Sequence, residues 1–153
     1  MSGSDKETMT MSNARTDEQR RIMEQIQKDG VCPFCREHFE KYHPKPILRE
    51  SPHWIVAENG FPYKGTRIHM LFVYKKHINS ISEVSAEGFL ELLEHIKLVN
   101  EEYCIQGGAL IWRYGDPQYN GSSVHHLHAQ IVSGEIDSPS SEPIRVKVGF
   151  KKK

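Results

Sequence analysis

Apolar residues along this chain recur at two spacings, and each spacing predicts an element. After a Gly/Asn-rich turn ending at Gly121, polar and apolar positions take turns through His126-Leu127-His128-Ala129-Gln130-Ile131. A period of two is that of a strand, so His126, His128 and Gln130 project from one side. Leu127, Ala129 and Ile131 project from the other, as suits a face packed on a core. Residues 54–57 form a short apolar strand stopped by Asn59-Gly60. A longer strand spans 68–76, nearly continuous in apolar residues from Met70 to Val73, and another runs from 109 to 114 after Gly107-Gly108.

Helical spacing replaces alternation twice. Thr16 is an N-cap followed by acidic Asp17 and Glu18; Ile22, Met23 and Ile26 share a face, and Gly30 fits the stop. Ser85 caps a longer helix reaching about Tyr103, with Phe89, Leu92, Leu93, Ile96 and Val99 as its core-facing stripe. His95 and Lys97 flank that stripe and read as surface residues, and Cys104 as a small buried one. Past Gly134, a Ser/Pro/Glu-rich linker over 136–143 leads to alternating apolar and basic residues over 144–150, the pattern of an edge strand. Residues 1–15 lack periodicity and read as a disordered tail. The expectation is an α+β fold: an antiparallel β-sheet with one long helix and a short N-terminal helix. It forms a single domain over 16–153, with its core at 32–134 and the linker and edge strand at 135–153.

Composition narrows the function. With 153 residues, 37% of them hydrophobic and 26% charged, the chain suits one domain with a real core. Its 20 basic and 20 acidic residues cancel, which argues against a general nucleic-acid binder. No apolar run is long enough to cross a bilayer, and no hydrophobic signal segment opens the sequence. Three cysteines do not make a disulfide framework, and the chain reads as cytoplasmic.

Two clusters carry candidate chemistry. His126, His128 and Gln130 stand at intervals of roughly 6–7 Å along a strand. Such a row suits a solvated sheet face, a metal chelate, or a phosphate-handling site with a histidine nucleophile. Gln130 is a poor zinc ligand, and the turn ahead of the row is itself specialised, which favours the phosphate site. Cys32-Pro33-Phe34-Cys35 is either a redox pair or half of a zinc site. A redox motif is expected after a strand and before a long helix. Here a helix precedes it and breakers follow, which favours zinc.

Taken together, Gly121-Ser122-Ser123-Val124 and His126-Leu127-His128-Ala129-Gln130 resemble the motif of the histidine triad (HIT) superfamily. Most members carry a third histidine where Gln130 stands. The His-x-His-x-Gln form resembles galactose-1-phosphate uridylyltransferase and the diadenosine tetraphosphate phosphorylases. Lys75-Lys76-His77, with Tyr74 in place of the usual proline, and the segment from Asn59 to Tyr63 extend the likeness over residues 32–132. The resemblance implies the HIT-like fold, a homodimer, and a nucleotide or dinucleoside polyphosphate substrate. It also implies a structural zinc on Cys32, Cys35, His77 and His126.

His128 is then the nucleophile that forms a nucleotidyl-histidine. Ser123 and the turn amides stabilise charge on the phosphoryl oxygens, and Gln130 bonds to the phosphoryl group. Asn59, Arg113, Asn120 and Ser122 are candidate substrate-binding residues. Relatives carry an asparagine near Gly115 for the phosphates and often a glutamine where Ser122 stands; this chain has neither. Glutamine cannot relay a proton at neutral pH. The variant therefore favours phosphorolysis by a nucleotidyl transferase over a HIT-type hydrolase or a nucleotide-binding module with little turnover.

Overall fold

The computed structural model describes residues 9–11, 15–139 and 142–149. The expectation of disorder at 1–8 and 12–14, and the chain from 150 onward, lie outside them. Helix α1 spans Asp17–Asp29, with Thr16 accepting from the Gln19 amide and Gly30 closing it in the left-handed conformation at φ 69°. Helix α2 (Arg36–Tyr42) and strand β1 (Ile47–Glu50) follow. Strands β2 (Trp54–Glu58) and β3 (Thr66–Tyr74) precede helix α3 (Ala86–Glu102). Strand β4 (Ala109–Arg113), the short helix α4 (Pro117–Asn120) and strand β5 (His128–Gly134) complete the order. All pairings are antiparallel in a sheet ordered β1-β2-β3-β5-β4, so the strand bearing His128 and Gln130 lies inside the sheet.

The two sheet faces do different work. On one, Trp54, Val56, Met70, Phe72, Leu127, Ala129 and Ile131 pack against Leu92 and Val99 of α3. On the other, Ile55, Ala57, Leu71 and Val73 pack around the fully buried Phe39 of α2. Both faces being covered explains the nearly continuous apolar run at 70–73.

Several sequence expectations are corrected. Helix α2 and strand β1 escaped the reading because both are short, and β1 is only half buried. Strand β5 begins at His128, so His126 sits just ahead of it rather than within it. The residues of α3 that turn inward are Gly88, Leu92, His95 and Val99. Phe89 and Leu93 are 54% and 43% exposed, because Gly88 brings the helix close to the sheet. There Trp54 donates to the Gly88 carbonyl at 2.6 Å, and a Cβ on Gly88 would come within 3.2 Å of Tyr74. His95 is buried, bonded to Ser51 Oγ at 2.9 Å. Cys104 is exposed at a positive φ of 50°.

Residues 142–149 join no strand of the sheet. They pass over the 113–121 loops instead: Arg113 donates to the Lys147 carbonyl at 2.8 Å. A Cβ on Gly121 would stand 2.8 Å from that same carbonyl oxygen. Residues 9–11 are not a loose tail either. Met9 is buried and bridges to Val124, and the Thr10 amide donates to the Ser123 carbonyl at 2.8 Å. Met9, Met23 and Ile26 make a separate apolar cluster beside Tyr42 and Val124. Among the described residues, no helix is long and apolar enough to cross a membrane.

Candidate functional site

Strand β5 sets the site because it opens on His128 with its side chain on the α2 face. His128 pairs with Val73 on one side and Arg113 on the other; Gln130 pairs with Leu71 and Ile111. The His128 ring donates from Nδ1 to the His126 carbonyl at 2.7 Å. That bond fixes the tautomer with Nε2 as the bare, nucleophilic nitrogen. Phe34 packs edge-on against the ring, centroids 5.0 Å apart. Burial, and then the charge of Arg113, hold the His128 pKa down to about 4, so the imidazole is neutral at neutral pH.

His128 and Gln130 line one cavity together with Asn59, Arg113 and Ser123. Asn59 donates to Gln130 Oε1 at 3.3 Å, and its own Oδ1 accepts from the Phe61 amide at 2.8 Å. Ser122 and Asn120 lie outside the cavity lining. Ser122 is buried and donates to the Val124 carbonyl at 2.9 Å, and its amide donates to Asn120 Oδ1 at 2.8 Å. Asn120 also donates to the Tyr114 carbonyl at 2.8 Å. Both therefore shape the turn ahead of β5.

Sequence reasoning passed over His69. Its Nδ1 accepts from the Tyr63 amide at 3.1 Å, so the neutral ring carries its proton on Nε2 and donates it to Gln130 Oε1. With Oε1 occupied by His69 and Asn59, the Gln130 NH2 group remains for other partners. Spacing alone puts His69 on the same side of β3 as Leu71; that this is the Gln130 side follows from the pairing of Leu71 with Gln130, which only the fold supplies.

A second cluster lies beside the first. Leu127 donates to the Ile78 carbonyl at 2.7 Å and accepts from the Tyr74 amide at 3.0 Å, which holds His126 against the end of β3 and His77. Phe39 seats α2 on the sheet and so brings the 32–35 loop to the same place. Cys32, Cys35, His77 and His126 then offer ligand atoms all within 4.8 Å of one another. His126 Nδ1 is 3.4 Å from Cys32 Sγ, 3.8 Å from Cys35 Sγ and 3.2 Å from His77 Nδ1; Cys35 Sγ is 3.3 Å from His77 Nδ1. A tetrahedral zinc at ordinary bond lengths sets S···N edges of roughly 3.6 Å and N···N edges of roughly 3.3 Å. The donor set fits. His126 Nε2 donates to the Tyr74 carbonyl, which leaves Nδ1 to face the cluster.

No family model matches the chain. A HIT-like protein of Chlamydia trachomatis, itself uncharacterized, is 30% identical over 90 residues, covering 57% of this chain and 78% of that relative. The chain belongs to the HIT superfamily. A HIT family hydrolase from Clostridium thermocellum superposes with a TM-score of 0.52 at 26% identity, over 72% of this chain and 96% of the other. One from Legionella pneumophila gives 0.55 at 21% identity, over 71% and 97% of the two chains. A zinc-bound histidine triad family protein from Mycobacterium smegmatis gives 0.54 at 16% identity, over 76% and 84%. Helix α1, through Gln19, Ile22, Met23 and Ile26, and the segment at 142–149, through Arg145 and Lys147, line the cavity as well.

Proposed function

We propose that the protein is a nucleotidyl transferase that cleaves dinucleoside polyphosphates by phosphorolysis, through a nucleotidyl-histidine on His128. The observation that carries this is the His128 tautomer: Nδ1 is committed to the His126 carbonyl, and Nε2 is left bare beside Gln130. His128 Nε2 attacks the α-phosphorus; the new P–N bond forms as the P–O bond to the departing nucleotide breaks, and the electron pair leaves on that oxygen. An oxygen of inorganic phosphate then attacks the same phosphorus, the P–N bond breaks, and a nucleoside diphosphate departs. Ser123 and neighbouring turn amides hold the non-bridging oxygens, where charge accumulates. Gln130 presents NH2 donors to the phosphoryl group, Asn59 and Arg113 bind substrate, and none of these relays a proton to water.

Cys32, Cys35, His77 and His126 would hold one structural zinc, tying the 32–35 loop to the approach to β5. The zinc-bound relative from Mycobacterium smegmatis supports this reading. The protein acts in the cytoplasm as a single domain and as a homodimer. Support for the dimer is an apolar patch along the outer strand β4, where Leu110 is 52% exposed and Phe89 of α3 stacks on Trp112.

The second reading is a HIT-type hydrolase, favoured by the hydrolases from Clostridium thermocellum and Legionella pneumophila. The deciding experiment is incubation with diadenosine tetraphosphate at several phosphate concentrations and identification of both products. Phosphorolysis gives a nucleoside diphosphate that rises with phosphate. A monophosphate that dominates even when phosphate is abundant makes the enzyme a hydrolase despite Gln130.

A further inference from the structure

The cavity carries cations that the chemistry at His128 does not require. Arg113 Nη2 donates to the Tyr63 hydroxyl at 3.0 Å as well as to the Lys147 carbonyl. Its buried Nε has no hydrogen-bond partner. Arg15 lies over the ring of the same tyrosine, its guanidinium carbon 4.5 Å from the ring centroid. Arg145 and Lys147 line the cavity too, and among the described residues no Asp or Glu does. Desolvation first, and then the nearby charge of Arg113, pull the Arg15 pKa below its ordinary value.

Two guanidiniums gathered on one tyrosine repel each other unless an anion joins them. A single phosphate at His128 needs no such array, whereas a chain of phosphates offers several charges and many acceptor oxygens to guanidinium forks. We propose that Arg15, Tyr63, Arg113, Arg145 and Lys147 form a subsite for the phosphate chain beyond the phosphate at His128. The preferred substrate then carries at least two further phosphates, and chain length is read by residues outside the reacting group. The inference rests on the reading of this cavity as a nucleotide site.

The test is calorimetric titration at fixed ionic strength with inorganic tripolyphosphate and, separately, orthophosphate. These probes need neither a base nor turnover. The wild type should bind tripolyphosphate at least tenfold more tightly than orthophosphate. Combining Arg15→Gln with Arg145→Gln should remove most of that preference, while Arg15→Lys, which keeps the charge, should retain the larger part of it. Both side chains are exposed, and matching circular dichroism would show that the variants fold. Equal binding of the two probes by the wild type, or a double variant with the full preference, overturns the subsite. Chain-length preference without phosphorolysis supports the subsite and counts against the transferase; phosphorolysis without the preference overturns the subsite alone.

Discussion

His69 Nε2 meets Gln130 Oε1 diagonally, two positions along the β3–β5 ladder, and that contact decides which end of the Gln130 amide is left for a ligand. It requires a neutral His69, since the other ring nitrogen accepts from the Tyr63 amide. Burial provides the neutrality, holding the pKa at about 4 against the ordinary 6.5, with the Gln130 contact acting the opposite way. Above the unfolded value both states are neutral and the group adds no pH slope. As pH falls from 6.5 towards 4, only the unfolded chain gains the proton, so stability is lost, by on the order of 3 kcal/mol for the whole shift. Denaturant unfolding of wild type and His69→Gln across this window should show a clearly smaller loss in the variant. Parallel losses would mean that His69 is not held neutral.

Zinc content is the second prediction. Purified without chelators, the protein should carry about one zinc per chain, as a closed four-ligand site requires. Less than about a tenth of an equivalent by elemental analysis would exclude the site. Burial, then the neighbouring Cys32, push the Cys35 thiol up to about 12, and burial raises Cys32 as well. Both thiols are therefore protonated before metal arrives. Titrating zinc into stripped protein in buffers of differing ionisation enthalpy should report release of about two protons. His126→Ala should lower both metal content and stability.

His128→Ala should reduce turnover by at least about a thousandfold, because removal of a nucleophile costs several orders of magnitude. Nucleotide affinity should change only a few-fold, since Asn59, Arg113 and Ser123 remain on the cavity wall. A variant that keeps a tenth of the wild-type rate would exclude His128 as the nucleophile.

Gln130→His should raise hydrolysis relative to phosphorolysis. Water benefits from a group that accepts its proton, whereas inorganic phosphate arrives already deprotonated. The ratio of monophosphate to diphosphate product at fixed phosphate measures it. An unchanged ratio in a variant that still turns over would show that Gln130 does not select the acceptor.

Leu110→Lys should produce a monomer in sedimentation equilibrium. Leu110 is an exposed apolar residue on the outermost strand, and a lysine there opposes edge pairing. A wild type that already sediments as a monomer would remove the dimer from the reading.

Much was legible in the sequence, because it depends on local rules. Thr16 and Gly30 bound α1 through backbone hydrogen bonding and a left-handed φ, both properties of single residues. The period of two from Leu127 to Ile131 set the inward face of β5, since alternation needs no knowledge of neighbours. Cys32, Cys35, His77 and His126 were singled out through the family likeness, and the fold brings them within bonding reach of one ion.

The rest depended on which surfaces meet. Amphipathic spacing does not say how close α3 approaches the sheet; Gly88 decides that, and with it the exposure of Phe89 and the burial of His95. Alternation over 144–150 satisfied a strand pattern, but the residues described there run beside the Gly121 turn, where the missing Cβ admits the Lys147 carbonyl. From its sequence, then, the chain determined its longer helices and inner strands, its family and the four donor residues of its metal cluster, because those follow from residue identity and spacing along the backbone. Only the tertiary structure placed His69 against Gln130, and Arg15 and Arg113 on one tyrosine. Those pairings join residues 61 and 98 positions apart, and nothing in local spacing encodes which distant side chains will share a cavity wall.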